Sequence, residues 1–282
     1  MKNIINISIT ILMLFFIACL PSLFHNQKID VSNLFIAIKD TFHSLLHPNS
    51  IVFENLKSGV KHDIFPFIIE PWVNSMTILF SALIISLLFS LIIAFLMYQS
   101  QVFHNIVMHI NRVLSIVPDI FYIPVFISII IFIYLKTQVL IFDVASSHEQ
   151  NAVIFPILLL LIISITNSIT VINQLLIAER EESYVSFARS KGLNNKEIFY
   201  RHILKNILTG YFINFKQIVW MTLSSLLFLE RLLNVFGISV FIFEYNSPVV
   251  LFISFLMMYI PIRLLFFFAE LYTKQTTGRS MA

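Results

Sequence analysis

Cysteine is almost absent from this chain: Cys19 stands alone in 282 residues. That excludes an intrachain disulfide and any thiolate metal cluster. The 8 histidines show no ligand spacing; His104 and His109 fall near an expected membrane edge. Glycine is scarce, with 5 residues, so each one marks a place where the backbone needs something unusual. Charged residues make up 12% of the chain, about half the ~25% of soluble domains. The net charge of +3 is small and its basic residues are scattered, which argues against a nucleic-acid partner. The chain contains no G-x-x-x-x-G-K-[ST], so a nucleotide-binding P-loop would have to come from another subunit. No catalytic constellation is visible. The cluster Glu179, Glu181 and Glu182 reads as a solvated helix start favoured by the helix dipole. The chain is read as a non-enzyme.

What the sequence has instead is apolar length. Hydrophobic residues make up 58%, and they gather into six runs at 4–22, 72–98, 113–135, 152–177, 210–230 and 249–271. Each is near or above the ~20 residues that cross a bilayer core. The fold class expected is an all-α membrane protein of six transmembrane helices. Loop charge sets its direction. One side carries Lys2, Arg112, Arg180, Arg189, Lys191, Lys196, Arg201, Lys205, Lys274 and Arg279. The other carries Lys28, Lys39, Lys57, Lys61, Lys136 and Arg231. The bias places both termini in the cytoplasm, with a tail at 276–282. The first run, 1–22, is taken as a transmembrane helix; its "FIAC" also faintly resembles a lipoprotein cleavage box at Cys19.

The long segment 23–70 is then extracellular. Leu34, Ile38, Phe42 and Leu45 stand at helical spacing within it and predict an amphipathic helix. Within the spans, Lys216 and Arg263 are ionisable and so are pathway candidates, although both stand close enough to an edge to snorkel. Asn167, Asn173, Gln174, Asn214, Gln217, Thr222, Ser224 and Ser225 are polar spots that can join helices. Pro261 predicts a kink in the last span.

The most informative stretch is "YVSFARSKGLNNKEIFYRHILKNIL", residues 184–208. Gly192 fits the position just past a helix end. Asn194 can cap a new helix, with Glu197 completing a capping box and Leu193 and Ile198 spaced as a hydrophobic staple. The sequence therefore spells a helix over 179–191, a tight turn, and a helix over 195–208. Two readings stay open: a pair of amphipathic helices lying in the membrane interface, or a protruding knuckle for a partner.

"ARSKGL", Ala188 to Leu193, resembles the EAA loop of ABC importer permeases of the dipeptide, oligopeptide and nickel type. "RHILKN", Arg201 to Asn206 with His202, is similar to the segment that follows that loop. "SIVPDIF" at 115–121, with Pro118, is similar to the start of the family's third span. "ERLLNVFGIS" at 230–239 resembles the segment after the fifth span, matching at Glu230 and Gly237, with Leu233, Phe236 and Ser239 departing. "NSPVV" at 246–250, with Pro248, is similar to the opening of the sixth. Further departures are Ser186-Phe187 where the wider consensus has Glu-Ala, and no glycine in "LLFSLIIAFLMY".

The resemblance implies a permease domain over 71–275 whose loop 179–209 seats in a cytoplasmic ATPase. Its implied docking residues are Ala188, Arg189, Lys191, Gly192, Leu193, Arg201, His202 and Asn206, with Ala188 small enough for close approach to the partner. It also implies a second permease subunit, two ATPase subunits that hold the ATP, an extracellular binding lipoprotein, no directly bound cofactor, and a bacterial plasma membrane location. The substrate expected is peptide-like or a metal chelate. Readings from other classes are a non-transporting immunity or sensor factor and an exporter subunit.

Overall fold

A computed structural model describes residues 2–25, 28–47, 51–54, 61–139, 142 and 153–277. The expected tail beyond 277, with Arg279, and the loop residue Lys57 lie outside the described residues. The helices are α1 Lys2–Cys19, α2 Val31–Leu46, α3 Ile69–Gln99, α4 Gln101–Ile116, α5 Tyr122–Thr137 and α6 Ile154–Arg180. They continue as α7 Ser183–Ser190, α8 Asn195–Ile213, α9 Phe215–Leu232, α10 Ile238–Glu244 and α11 Pro248–Thr277. Among the described residues five helical stretches are long and apolar enough to cross a membrane, and α8 with α9 forms a sixth only as a bent pair. The chain is a multi-pass α-helical membrane protein.

Contacts divide it into two units, residues 1–76 with 236–263 and residues 77–235 with 264–282. In the first, Asp30 caps α2 by accepting from the Ser32 N–H at 2.9 Å. Leu34 and Thr41 are the buried positions of α2, while Phe42 is 60% exposed. The expected stripe is thus corrected by one position, because 34, 38, 41 and 45 follow the 3.6-residue turn more closely than a run through 42. Cys19 is buried with its Sγ 3.9 Å from Thr41 Oγ1. Two short strands, β1 Val52–Glu54 and β2 Lys61–Asp63, pair antiparallel with Phe53 opposite His62. Phe53 packs its ring against Tyr245 at 4.5 Å and Phe241 at 5.7 Å.

Proline removes a donor inside α11. Pro261 cannot bond the carbonyl four residues earlier, that of Met257. The Trp72 indole N–H supplies the missing donor at 2.7 Å. The buried N-terminus of α10 is treated in the same way. Gly237 has no side chain to cap it, and the Ser75 hydroxyl accepts from the Ile238 N–H at 2.7 Å. Within an apolar span no water is present to satisfy the Met257 carbonyl, so the Trp72 bond is needed there.

In the second unit α6 is the central element, packed by α8, α9 and α4. The helices meet through polar pairs: Ser86 with Ser164 at 2.8 Å, Ser168 with Tyr211 at 3.0 Å, Asn111 with Thr170 at 2.9 Å, and His104 with Asn173 at 2.7 Å. α4 turns Asn111 and His104 toward α6 and leaves Gln101, Asn105, His109 and Arg112 exposed. Asn111 is buried, while Val102, Ile106, Ile110, Val113 and Ile116 form an exposed aliphatic stripe.

Two expected spans are corrected. The third does not run from 113; α4 ends at Ile116, Val117 is extended before Pro118, and α5 starts at Tyr122. A residue before proline disfavours the helical region, and this breaks the helix there. The fifth is bent by 56° between Ile213 and Phe215. Asn214 causes the break by turning its side-chain amide back onto the Gly210 carbonyl at 2.9 Å.

Gly210 also lets α8 approach α6. A Cβ there would stand 2.5 Å from Leu175 Cδ2. We predict that Gly210→Val lowers thermal stability in detergent by about 1–3 kcal/mol. Adding Leu175→Ala should recover most of that loss. Equal melting of Gly210→Val and the parent protein would contradict this packing.

Candidate functional site

Between α6 and α9 the chain builds a knuckle from two helices and a turn. α7 ends in a Schellman motif. Gly192 takes φ +83°, its N–H bonds the Arg189 carbonyl at 2.9 Å, and the Leu193 N–H reaches the Ala188 carbonyl at 3.3 Å. A Cβ on Gly192 would meet nothing within 4 Å. The glycine is therefore required by the backbone angle and not by crowding. Two residues later the capping box is complete: Asn194 Oδ1 accepts from the Glu197 N–H at 2.9 Å, and Glu197 Oε2 accepts from the Asn194 N–H at 3.1 Å. Ile198 is buried and Leu193 half-buried, as a staple requires. The helix over 195–208 expected from sequence continues to Ile213, with a π turn at Phe199–Ile203.

The knuckle is fixed at its base. The Tyr184 hydroxyl donates to Glu179 Oε2, and Asn206 Nδ2 donates to the same oxygen at 3.0 Å and to Tyr184 Oη at 3.2 Å. This joins the end of α6, the start of α7 and the middle of α8. His202 lies beside Tyr184, with ring centroids 6.1 Å apart. A second anchorage is aromatic. Phe199 packs against Phe95 at 5.3 Å and Tyr98 at 5.6 Å, and Tyr200 packs against Phe95 at 5.1 Å. Arg180 then holds the end of α3, donating to the Met97 carbonyl at 2.5 Å with its guanidinium 5.6 Å from the Tyr98 ring.

The expected docking residues separate into two groups. Arg189, Lys191, Gly192 and Arg201 are exposed. Ala188 is 4% exposed and faces inward, where its carbonyl closes the turn. Asn206 and His202 serve the base of the knuckle. Phe187 takes the outward place at 60% exposure, with Lys191 Nζ 4.4 Å from its ring centroid. The sequence signal for Phe187 was available, since it is an aromatic in an otherwise polar segment. Glu179 and Tyr184 gave no such signal, and Glu179 is bridged rather than a merely solvated helix start.

The remaining candidates lie apart from the knuckle. Lys216 does not snorkel alone, because its Nζ is 3.8 Å from Glu270 Oε1. Glu230 is fully buried, Gly237 is the buried N-cap of α10, Pro248 opens α11 and Arg263 is half-buried on it. Pro118 sits exposed at the break between α4 and α5. Among the described residues no group of three His, Cys, Asp or Glu side chains is arranged to hold a metal.

Burial raises the Tyr184 hydroxyl pKa well above its ordinary value, and the hydrogen bond to Glu179 adds to the shift. A raised pKa means the stabilisation is complete below the free tyrosine value of ~10 and is lost as pH rises through the folded value. The knuckle should therefore hold its amide-exchange protection up to pH ~9. Tyr184→Phe should accelerate exchange across Ser183–Ser190 at neutral pH and remove the alkaline dependence. Unchanged protection in that variant would contradict the bridge.

Comparison with curated proteins finds no match to this chain. Residues 86–270 match the family described as binding-protein-dependent transport system inner membrane component. That region is about two thirds of the chain and runs from within α3 to within α11, with the knuckle near its centre. The chain belongs to this family, the permease subunits of ABC importer type.

Proposed function

We propose that the chain forms half of the translocation pathway of an ATP-driven importer of the dipeptide, oligopeptide or nickel type, in a bacterial plasma membrane. The observation that carries this reading is the knuckle, which is rigid at its base, closed by a left-handed glycine, and presents Phe187, Arg189, Lys191 and Lys196 outward. A structure that merely lay in the interface would not need a Schellman turn and a capping box back to back.

On this reading both termini and the 179–209 segment face the cytoplasm, with six crossings of which α8 and α9 make the bent fifth. ATP is held by two partner ATPase subunits, and a second permease completes the pore. The 23–70 segment and residues 230–246 face an external binding lipoprotein that delivers a peptide-like or metal-chelate solute. Phe187 inserts into an apolar pocket of the ATPase, and the three cations pair with acidic groups around it. Closure of the ATPase pair pushes the knuckle. The push reaches α3 through Phe199 and Tyr200 on Phe95 and Tyr98, and reaches α6 through Asn206 on Glu179. The chain itself needs no catalytic group for this work.

Co-purification with the ATPase tests the reading. Phe187→Asp should abolish co-purification, leaving the membrane protein folded. Gly192→Val should retain assembly and lose most of the transport-coupled hydrolysis, since a non-glycine residue at φ +83° costs about 1–2 kcal/mol and shifts the turn. Solute-stimulated hydrolysis unchanged in both variants would contradict the proposal.

A further inference from the structure

We infer that Asp119 is a cation-recognition site within the translocation pathway, selecting an ammonium or guanidinium group of the solute. The inference rests on the permease reading above. Asp119 lies in the break between α4 and α5, next to Pro118, and its side chain is exposed. The break is held open in a fixed form. Val117 is extended, and the Tyr122 hydroxyl donates back to the Leu114 carbonyl. The Ser225 hydroxyl donates to Asp119 Oδ2 at 2.8 Å, which aims the carboxylate at α9.

The depth follows from Ser225. It is the eleventh of the eighteen residues of α9, about 10 Å from the end of that helix, and the bent crossing continues past its start into α8. An exposed carboxylate facing lipid at such depth is strongly disfavoured; ionisable groups there face water-filled cavities or protein. Broken helices at mid-depth are a recurrent way of lining a solute path. Two further polar positions on α4 precede Asp119, His104 with Asn173 and Asn111 with Thr170. Among the described residues, the buried Asn111 Oδ1 remains free to accept another donor.

The chemistry selects the ligand class. Among the described residues no lysine or arginine forms an ion pair with Asp119. One carboxylate oxygen paired to a hydroxyl leaves the other oxygen to accept N–H donors. A hard divalent cation requires about six oxygen ligands, and no such group of side chains is assembled here. An organic cation needs only the charge and an acceptor.

Cysteine labelling in native membranes tests this, on a Cys19→Ser background. Val117→Cys places a thiol beside the break, and Ser190→Cys on the knuckle serves as the accessible control. The probes are a cationic and an anionic methanethiosulfonate of similar size. The cationic reagent should modify Val117→Cys about tenfold faster than the anionic one, as expected for a nearby charge in a partly polar site. Asp119→Asn should bring the two rates together, while Ser190→Cys is unaffected. No labelling of Val117→Cys by either reagent, with Ser190→Cys labelled, would overturn the site. So would a rate ratio that survives Asp119→Asn. The measurement needs no ATPase, so it can fail or succeed independently of the docking test.

Discussion

One backbone angle governs the architecture of the knuckle. At φ +83°, Gly192 reverses the chain within the space of three residues, and only glycine adopts that angle without cost. The turn closes α7 through the Ala188 and Arg189 carbonyls and delivers Asn194 to the position where it can cap α8. The direction of α8 then sets which residues meet α3 and α6. Phe199 reaches Phe95 and Tyr98, and Asn206 reaches Glu179. Displacing the turn would displace both anchorages together.

Beyond the knuckle, the same physical constraint recurs. Between helices in hydrocarbon the hydrophobic effect gives little preference for one contact over another, and cohesion comes from packing and from hydrogen bonds. The pairs Ser86–Ser164, Ser168–Tyr211 and Asn111–Thr170 meet that need. Two orphaned backbone groups are likewise provided for. Trp72 serves the carbonyl left by Pro261, and Ser75 caps the helix after Gly237. Asn214 and Pro118 bend or break their helices where the sequence shows only a continuous apolar run.

How much of this was legible in the sequence depends on range. Gly192, Leu193, Asn194, Glu197 and Ile198 lie within seven residues, so their spacing alone specified the turn and the box. The apolar spans were legible because hydrocarbon demands length. The break at Val117 and the bend at Asn214 were not, although Pro118 and Asn214 stood in plain view, because a polar residue inside a span also reads as a contact between helices. The roles of Glu179, Tyr184, Arg180 and Asn206 depend on partners up to 83 residues away and needed the fold. Ala188 is buried and Phe187 exposed, and composition cannot say which side of a short helix faces inward. Residues 86–270 match the permease family although the glycines of α3 are missing and serines stand at its contacts.

On the proposed function, the knuckle and the helices beneath it move as one body when the partner ATPase closes. Pulsed electron resonance between spin labels at Ser190→Cys on the knuckle and Val102→Cys on α4, in the assembled complex, measures this directly. A single narrow distance distribution that does not move on addition of ATP is the expected result. A distribution that shifts or broadens with ATP would show that the knuckle hinges at its base, and the account of rigid transmission would be wrong.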